Sequence, residues 1–307
     1  FTLNVAVVPD GSIAIDASNF PDPNFRAYVK ANFDTDNNNC LSESERNAVT
    51  EIDVRYKNIS NLSGIEFFPN LKKLNCSYNP LTSLDVSQNP ALDRLSCREN
   101  QLTSLDMSKN TKLTYLDCAR NQLTSLNVRQ SATLDALFCD KNQLTSLDVS
   151  QNPVLQSLNC EENNLTSLDV SQNAALIHLY CSTNQLTSLD VSKNTKLSEL
   201  DCYENQLTSL DVSQTAVTKL NASVNKITIE VEETSRTFDL STLPGKFDVS
   251  KATNWNGGTV SGKKLKVNED TNQVTYTYDC GKGCSETFTL NVKVVPDGTV
   301  TPPEPPV

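Results

Sequence analysis

Between residues 49 and 228 the apolar positions recur with a period of 21 residues. The string Leu-Thr-Ser-Leu begins at Leu81, Leu102, Leu123, Leu144, Leu165, Leu186 and Leu207. Ahead of each copy stands Leu-x-x-Leu-x-Cys-x-x-Asn, first as Leu71, Leu74, Cys76 and Asn79 and last as Leu197, Leu200, Cys202 and Asn205. Degenerate coils flank the array, with Val49, Ile52, Val54 and Ile59 before it and Val217, Leu220, Ala222, Asn225 and Ile227 after it, so nine coils are expected. The first half of each period predicts a short strand whose Leu and Cys side chains point inward while their neighbours point outward. The second half, Leu-Thr-Ser-Leu-Asp-Val-Ser, predicts an extended backing segment, because 21 residues leave little room for a helix. The repeated Asn, from Asn79 to Asn225, is expected to satisfy the backbone of a buried turn from coil to coil.

The pattern changes at both ends. Residues 12–48 predict a small helical cap: Asp22-Pro23 reads as an N-cap followed by proline at the first helical position, and Phe25, Tyr28, Val29 and Phe33 follow helical spacing. From residue 229 to 298 alternating runs separated by glycine-rich turns predict a small antiparallel β-sandwich. Phe1 to Gly11 reads FTLNVAVVPDG and Phe288 to Gly298 reads FTLNVKVVPDG. Residues 1–11 are therefore expected to be the last strand of a preceding module, in a longer protein of tandem units. Residues 299–307 form a proline-rich linker.

The repeats of residues 49–228 resemble the leucine-rich repeats of bacterial surface and secreted proteins, with the internalins as relatives. The segment ISNLSGIEFFPNL, from Ile59 to Leu71, is of the internalin type, whereas the other coils carry Cys where internalins usually carry an aliphatic residue. The resemblance implies a mainly β fold: a right-handed leucine-rich-repeat solenoid with a small helical N-terminal cap and a C-terminal β-sandwich. By position and pattern that sandwich resembles the Ig-like module that follows the repeats in internalin-type proteins. The resemblance also implies a bacterial protein that is secreted or held at the cell surface.

Composition narrows the function. The hydrophobic fraction is 37% with one Trp and one Met, too thin for one large globular core but suited to small cores stacked along an axis. A net charge of −11 argues against nucleic acid and against an anionic membrane surface. No apolar run approaches the ~20 residues of a membrane span, so direct membrane insertion is not expected. Seven of the ten cysteines form a ladder from Cys76 to Cys202, expected as buried free thiols, since ligands in a row cannot surround a metal. Cys280 and Cys284 in CGKGC flank a glycine-rich turn, where a hairpin disulfide or two thiols both remain open.

Two candidate sites emerge. In the cap, Asp34, Asp36 and Asn38 take positions 1, 3 and 5 of an EF-hand-like loop, the Cys40 carbonyl position 7, Ser42 position 9 and Glu45 position 12. Hard oxygen donors at this spacing point to structural Ca2+. The glycine usual at position 6 is Asn39, which tolerates the left-handed conformation. On the front strand face, Tyr78, Tyr115, Phe138, Tyr180 and Tyr203 are aromatics placed where no core needs them, accompanied by Arg98 and His178. Phe138 and Tyr180 occupy equivalent positions two coils apart, roughly 10 Å on strand spacing. Basic residues cluster in early coils and acidic ones in late coils.

His178 is the only histidine, and carboxylates on an open face have nothing to shift their pKa or exclude water, so an enzyme is not expected. The expected function is an extracellular, monomeric binding or adhesion module for a protein or glycan ligand. The alternative is a structural spacer displaying other domains.

Overall fold

The computed structural model describes residues 11–300. The strand expected at Phe1–Pro9 and most of the proline-rich tail lie outside the described residues. The chain divides into two compact units, Phe1–Leu155 and Gln156–Val307.

The first unit opens with the cap. Strand β1 (Ile13–Ala14) pairs antiparallel with β2 (Cys40–Leu41), and helices α1 (Pro23–Phe33) and α2 (Glu43–Ala48) flank the loop between them. Both helices start where their caps dictate. The Asp22 carboxylate accepts from Asn24 N and Phe25 N, and Ser42 with Glu45 forms a capping box. The second Asp22 oxygen accepts from Ser60 N at 2.8 Å and Ser60 Oγ at 3.0 Å, tying α1 to the first coil. Phe20, Phe25, Phe33 and Phe68 form a ring cluster beneath the cap, with Phe33 and Phe68 at 5.3 Å. Gly64 lies under it at φ +106, and a Cβ there would sit 2.3 Å from the Phe20 ring, so only glycine fits.

Five front strands follow: β3 (Glu51–Asp53), β4 (Lys73–Asn75), β5 (Arg94–Ser96), β6 (Tyr115–Asp117) and β7 (Ala136–Phe138). Each pairs in parallel with the next, with the central Leu or Ile always opposite another. These central residues and Cys76, Cys97, Cys118 and Cys139 are buried. Burial of a leucine side chain stabilises by about 1.5–3 kcal/mol, so the spokes of each coil supply its stability. The ladder asparagines bridge coils as the spacing predicts: Asn121 Nδ2 donates to Cys97 O (3.0 Å) and Cys118 O (3.1 Å), and its Oδ1 accepts from Leu102 N (3.0 Å).

A second asparagine ladder, not anticipated from the sequence, closes the turn after each backing segment. Asn89, Asn110 and Asn152 are fully buried in the first unit. Asn110 Nδ2 donates to Val86 O and Asn89 O, and Asn152 Nδ2 to Val128 O and Ser131 O. The backing segments contain no helix, and one isolated bridge, Asn127 to Asp148, stands where a ladder could have formed.

The second unit has coils of the same kind, with β8 (Ser157–Asn159), β9 (His178–Tyr180), β10 (Glu199–Asp201) and β11 (Lys219–Asn221), again parallel and in register. Strand β12 (Asn225–Glu232) begins on the last ladder asparagine, whose Nδ2 donates to Cys202 O and Ala222 O. The solenoid therefore runs into the C-terminal sheets without a linker. One sheet has the order β12, β18 (Cys284–Val295), β17 (Gln273–Gly281), β14 (Ala252–Asn256), and β12 is parallel to β18. The other holds β13 (Thr237–Asp239), β16 (Lys264–Val267) and β15 (Gly258–Ser261), all antiparallel. The expectation of a wholly antiparallel arrangement thus fails at β12, which enters from the solenoid in the direction of β18. Strand β14 is also missed by alternation, since the run ATNWN shows no clear period of two.

The last coil is clamped by these sheets. Thr208 Oγ1 donates to Pro244 O and Ser209 Oγ to Gly245 O, both at 2.8 Å, while Tyr276 Oη donates to Thr208 O at 2.7 Å. Cys280 and Cys284 are free thiols, because the hairpin places Gly281, not Cys280, opposite Cys284.

Candidate functional site

The front face of the first unit brings aromatics and charges together in two groups. On β5 and β6, Arg94 stands opposite Tyr115 and lays its guanidinium 4.4 Å from the ring centroid. Tyr115 in turn contacts Phe138 diagonally, with ring centroids 5.6 Å apart. Ala136 is the residue directly opposite Tyr115, and its small side chain leaves room for that contact. A hollow of about 290 Å3 is lined by Glu51, Asp53, Arg55, Lys73, Arg94 and Tyr115 among others. The second group lies on the turns that follow the strands. Tyr78 stacks on Tyr56, centroids 4.3 Å apart and planes within 14°.

Arg98 reaches past Ala119 to bridge two acids, Asp117 at 3.9 Å and Asp140 at 3.6 Å. Both acids are buried. Burial raises both carboxyl pKa values, and the Arg98 charge opposes the shift without cancelling it. Arg98 therefore ties its own coil to the two that follow.

In the second unit, His178 and Tyr180 project from the same strand with parallel rings 6.5 Å apart. The His178 Nδ1 lies 3.4 Å from Ser157 Oγ. Tyr203 is half-buried on the turn after β10, its amide donating to Asp201 Oδ1 at 3.1 Å. Phe138 belongs to the first unit and Tyr180 to the second. A larger cleft, about 630 Å3, opens behind the last coils of the second unit between Asp190, Asp211, Pro244, Lys246 and Lys251. Ion pairs cross it, Lys251 to Asp211 at 3.0 Å and Lys246 to Asp190 at 4.0 Å, so its charges are already met from within the fold.

One feature of the turns carries no signature in residue type. The second residue after each Cys position is left-handed: Tyr56, Tyr78, Glu99, Arg120 and Lys141 in the first unit lie at φ +54 to +59, and Glu162, Thr183, Glu204 and Val224 in the second at +50 to +59. A side chain other than glycine costs about 1–2 kcal/mol in that conformation. The cost is met here because the turn amides are fixed from the next coil, as in Tyr78 N to Arg98 O at 2.9 Å.

In the cap, carboxylate oxygens of Asp34, Asp36 and Glu45 lie within 4.8 Å of one another. Asn39 adopts φ +65, the left-handed conformation required of position 6. The loop also holds itself. The two Asp34 oxygens accept from Asn38 N and Asn39 N, and Asn38 Oδ1 accepts from Cys40 N at 2.7 Å. Partial burial disfavours the Glu45 carboxylate, but hydrogen bonds from Thr35 and Ser42 outweigh it and hold its pKa down at about 2. Glu45 is thus ionised at neutral pH and aimed into the loop.

Comparison with known proteins places this architecture. No protein-family model matches the chain. A stretch of 70 residues is 40% identical to Internalin J of Listeria monocytogenes serotype 4b (strain F2365), covering 23% of this chain and 8% of that protein. The chain therefore spans only a small part of that relative. Internalin C2 from Listeria monocytogenes strain 4b F2365 shares the fold, with a TM-score of 0.59 at 19% identity over 68% of this chain and 94% of that one. The functional domain of InlJ from Listeria monocytogenes, described as including a cysteine ladder, aligns with 92% of this chain and 99% of that one at 24% identity and a TM-score of 0.43.

Proposed function

We propose that this chain, an internalin-like leucine-rich-repeat protein, is a non-catalytic extracellular module that binds a protein or glycan ligand on the front strand face of its solenoid. The observation that carries the reading is the Arg94–Tyr115–Phe138 group. These large side chains lie half-exposed on a sheet face, where the Leu and Cys spokes already fill the core without them. Aromatic and arginine side chains so placed are the usual anchors of interfaces. Among the described residues no helix is long and apolar enough to cross a membrane. A secreted or cell-surface location is part of the proposal.

Catalysis has little support on this face. His178 is the one histidine, and among the described residues no carboxylate lies within 4 Å of its ring nitrogens to orient it toward Ser157. The test is binding of the purified chain to a panel of extracellular proteins and polysaccharides, beside a variant carrying Phe138→Ser and Tyr180→Ser. Binding by the parent that the variant loses is expected. Equal binding by both versions would move the spacer reading ahead.

The cap loop is proposed to hold Ca2+ in a structural role, through Asp34, Asp36, Asn38, the Cys40 carbonyl and Glu45. Three converging carboxylates, together with a left-handed Asn39, support it. Calorimetric titration with CaCl2 should show saturable binding and a raised Tm, both lost in Asp34→Ala with Asp36→Ala. A flat titration at millimolar calcium would dismiss the ion and leave a self-bonded loop.

A further inference from the structure

The left-handed turn column keeps its side chains against the preference of its backbone. The chain has nine glycines, and eight of them adopt positive φ, so glycine is used where the backbone needs it. None stands in this column, which carries Tyr, Tyr, Glu, Arg, Lys, Glu, Thr, Glu and Val. Residues held in such conformations cluster at functional sites.

At the N-terminal end of the column the side chains are Tyr56 and Tyr78, 69% and 39% exposed, the strongly exposed aromatics of the described chain. They stack on each other and cover no core. Charges of both signs stand on these coils, but the acids Glu51, Asp53 and Glu99 are each already paired, with Lys73, Arg55 and Arg120. Arg55 and Lys57 flank Tyr56 in the chain, and Lys72, Lys73 and Arg94 lie on the next two coils. Arg55 pairs with Asp53 at 2.8 Å and Lys73 with Glu51 at 3.6 Å. Lys57, Lys72 and Arg94 have no carboxylate within 4 Å among the described residues, so their charges are available to a partner.

We propose that the Tyr56–Tyr78 end of this column is the docking point for an acidic segment of a protein partner, which lays a proline or aromatic ring on the tyrosine stack and its carboxylates against Lys57, Lys72 and Arg94. The proposal rests on the front-face reading and names a partner class for it. A protein segment fits better than a glycan because neither tyrosine lines the hollow of the front face, whereas small-ligand sites are concave. Tyrosine and arginine are also the residues on which protein interfaces concentrate their affinity. Opposite charges across the contact would set its orientation and make association fall with salt.

The probes are short synthetic peptides in matched sets: glutamate-rich with one Trp or Pro, the same with Gln for Glu, and the same with Ala for the ring. Sulfated and sialylated oligosaccharides form a further set. Binding is read on the immobilised full chain, its Tyr56→Asn/Tyr78→Asn variant and its Tyr115→Ser/Phe138→Ser variant. Asparagine accepts the left-handed conformation, so the first variant keeps its fold, checked by an unchanged or higher Tm. The glutamate-and-ring set should bind the parent and lose roughly tenfold or more in the asparagine variant. Equal binding of the Glu and Gln sets, binding of the oligosaccharides alone, or silence of every set would overturn the proposal. So would peptide binding that survives the asparagine pair. If that binding is lost instead in Tyr115→Ser/Phe138→Ser, the front-face reading stands without this docking point. If neither variant changes it, both readings fall together.

Discussion

The front and back of each coil repeat with one period, yet they differ in what is allowed to vary. On the back, Asp85, Asp106, Asp148, Asp169, Asp190 and Asp211 each accept a hydrogen bond from the amide of the serine two residues on, at 2.8–2.9 Å. Asn127 does the same for Arg129 at 3.1 Å. Constancy there follows from a local bond that every coil must make. On the front, the outward residues of the first unit's strands are Glu51, Lys73, Arg94, Tyr115 and Ala136, with no shared bonding duty. The difference teaches that the repeat constrains whatever closes its own turns and leaves the strand face free for a partner.

The widest gap is expected between a ladder residue and a face residue of the same coil. Asn121→Ala removes all three amide donations and the acceptor for Leu102 N, orphaning buried backbone groups. At about 1–3 kcal/mol per buried group left without a partner, a loss of about 3 kcal/mol is expected. Tyr115→Ser, on the face, should change stability by less than about 1 kcal/mol. Urea unfolding of the two variants decides it, and equal losses would mean that the face is part of the structural repeat after all.

The cysteine ladder sharpens the same contrast from inside. Burial raises the Cys76 thiol to about 12 and pushes Cys97, Cys118, Cys181 and Cys202 well above the usual range. An unfolded thiol titrates near ~8.5. Above that pH the unfolded chain has lost these protons while the folded chain keeps them, so stability falls as pH rises. It is fully present below about pH 8 and erodes steeply from about pH 9 upward. Replacing one ladder cysteine by alanine should flatten the slope by one proton, measured by urea unfolding across that range. An unchanged slope would show that the thiolates are tolerated inside.

Much of this organisation was legible in the sequence because it is periodic. Leu71 through Leu207 and the asparagines after each Cys announce both the inward spokes and their coil-to-coil bonds. The Asp22 cap of α1 and the thiol ladder could be read for the same reason: each depends on residue type at fixed spacing. The tyrosine stack was half visible. Tyr78 stood out as an outward aromatic, but its partnership with Tyr56 depends on turn geometry in a degenerate coil. The left-handed column was invisible, since Glu99 and Thr183 give no hint of positive φ, which the next coil imposes on them. The parallel entry of β12 was missed because alternation reports a strand without its direction.

The second asparagine ladder offers the finest test, because within the first unit one rung is missing. At the position held by Asn89, Asn110 and Asn152 stands Ser131. Its hydroxyl donates to Asn110 O at 3.3 Å but reaches no second acceptor, whereas each asparagine amide bridges two carbonyls, 24 and 21 residues back. By that register Asn at 131 would reach Met107 O and Asn110 O. Ser131→Asn adds that donation, worth about 0.5–1 kcal/mol, but buries an amide oxygen that meets no partner in Asn89 or Asn110, so the net change should stay within about 1 kcal/mol and Tm should move by at most roughly 3 °C. The site is fully buried, so the added atoms must fit the gap that the shorter side chain leaves. A higher Tm would establish that each rung acts independently and that the repeat tolerates a weaker one. A lower Tm would show that this coil has closed around serine, so that even the back of the repeat is tuned coil by coil.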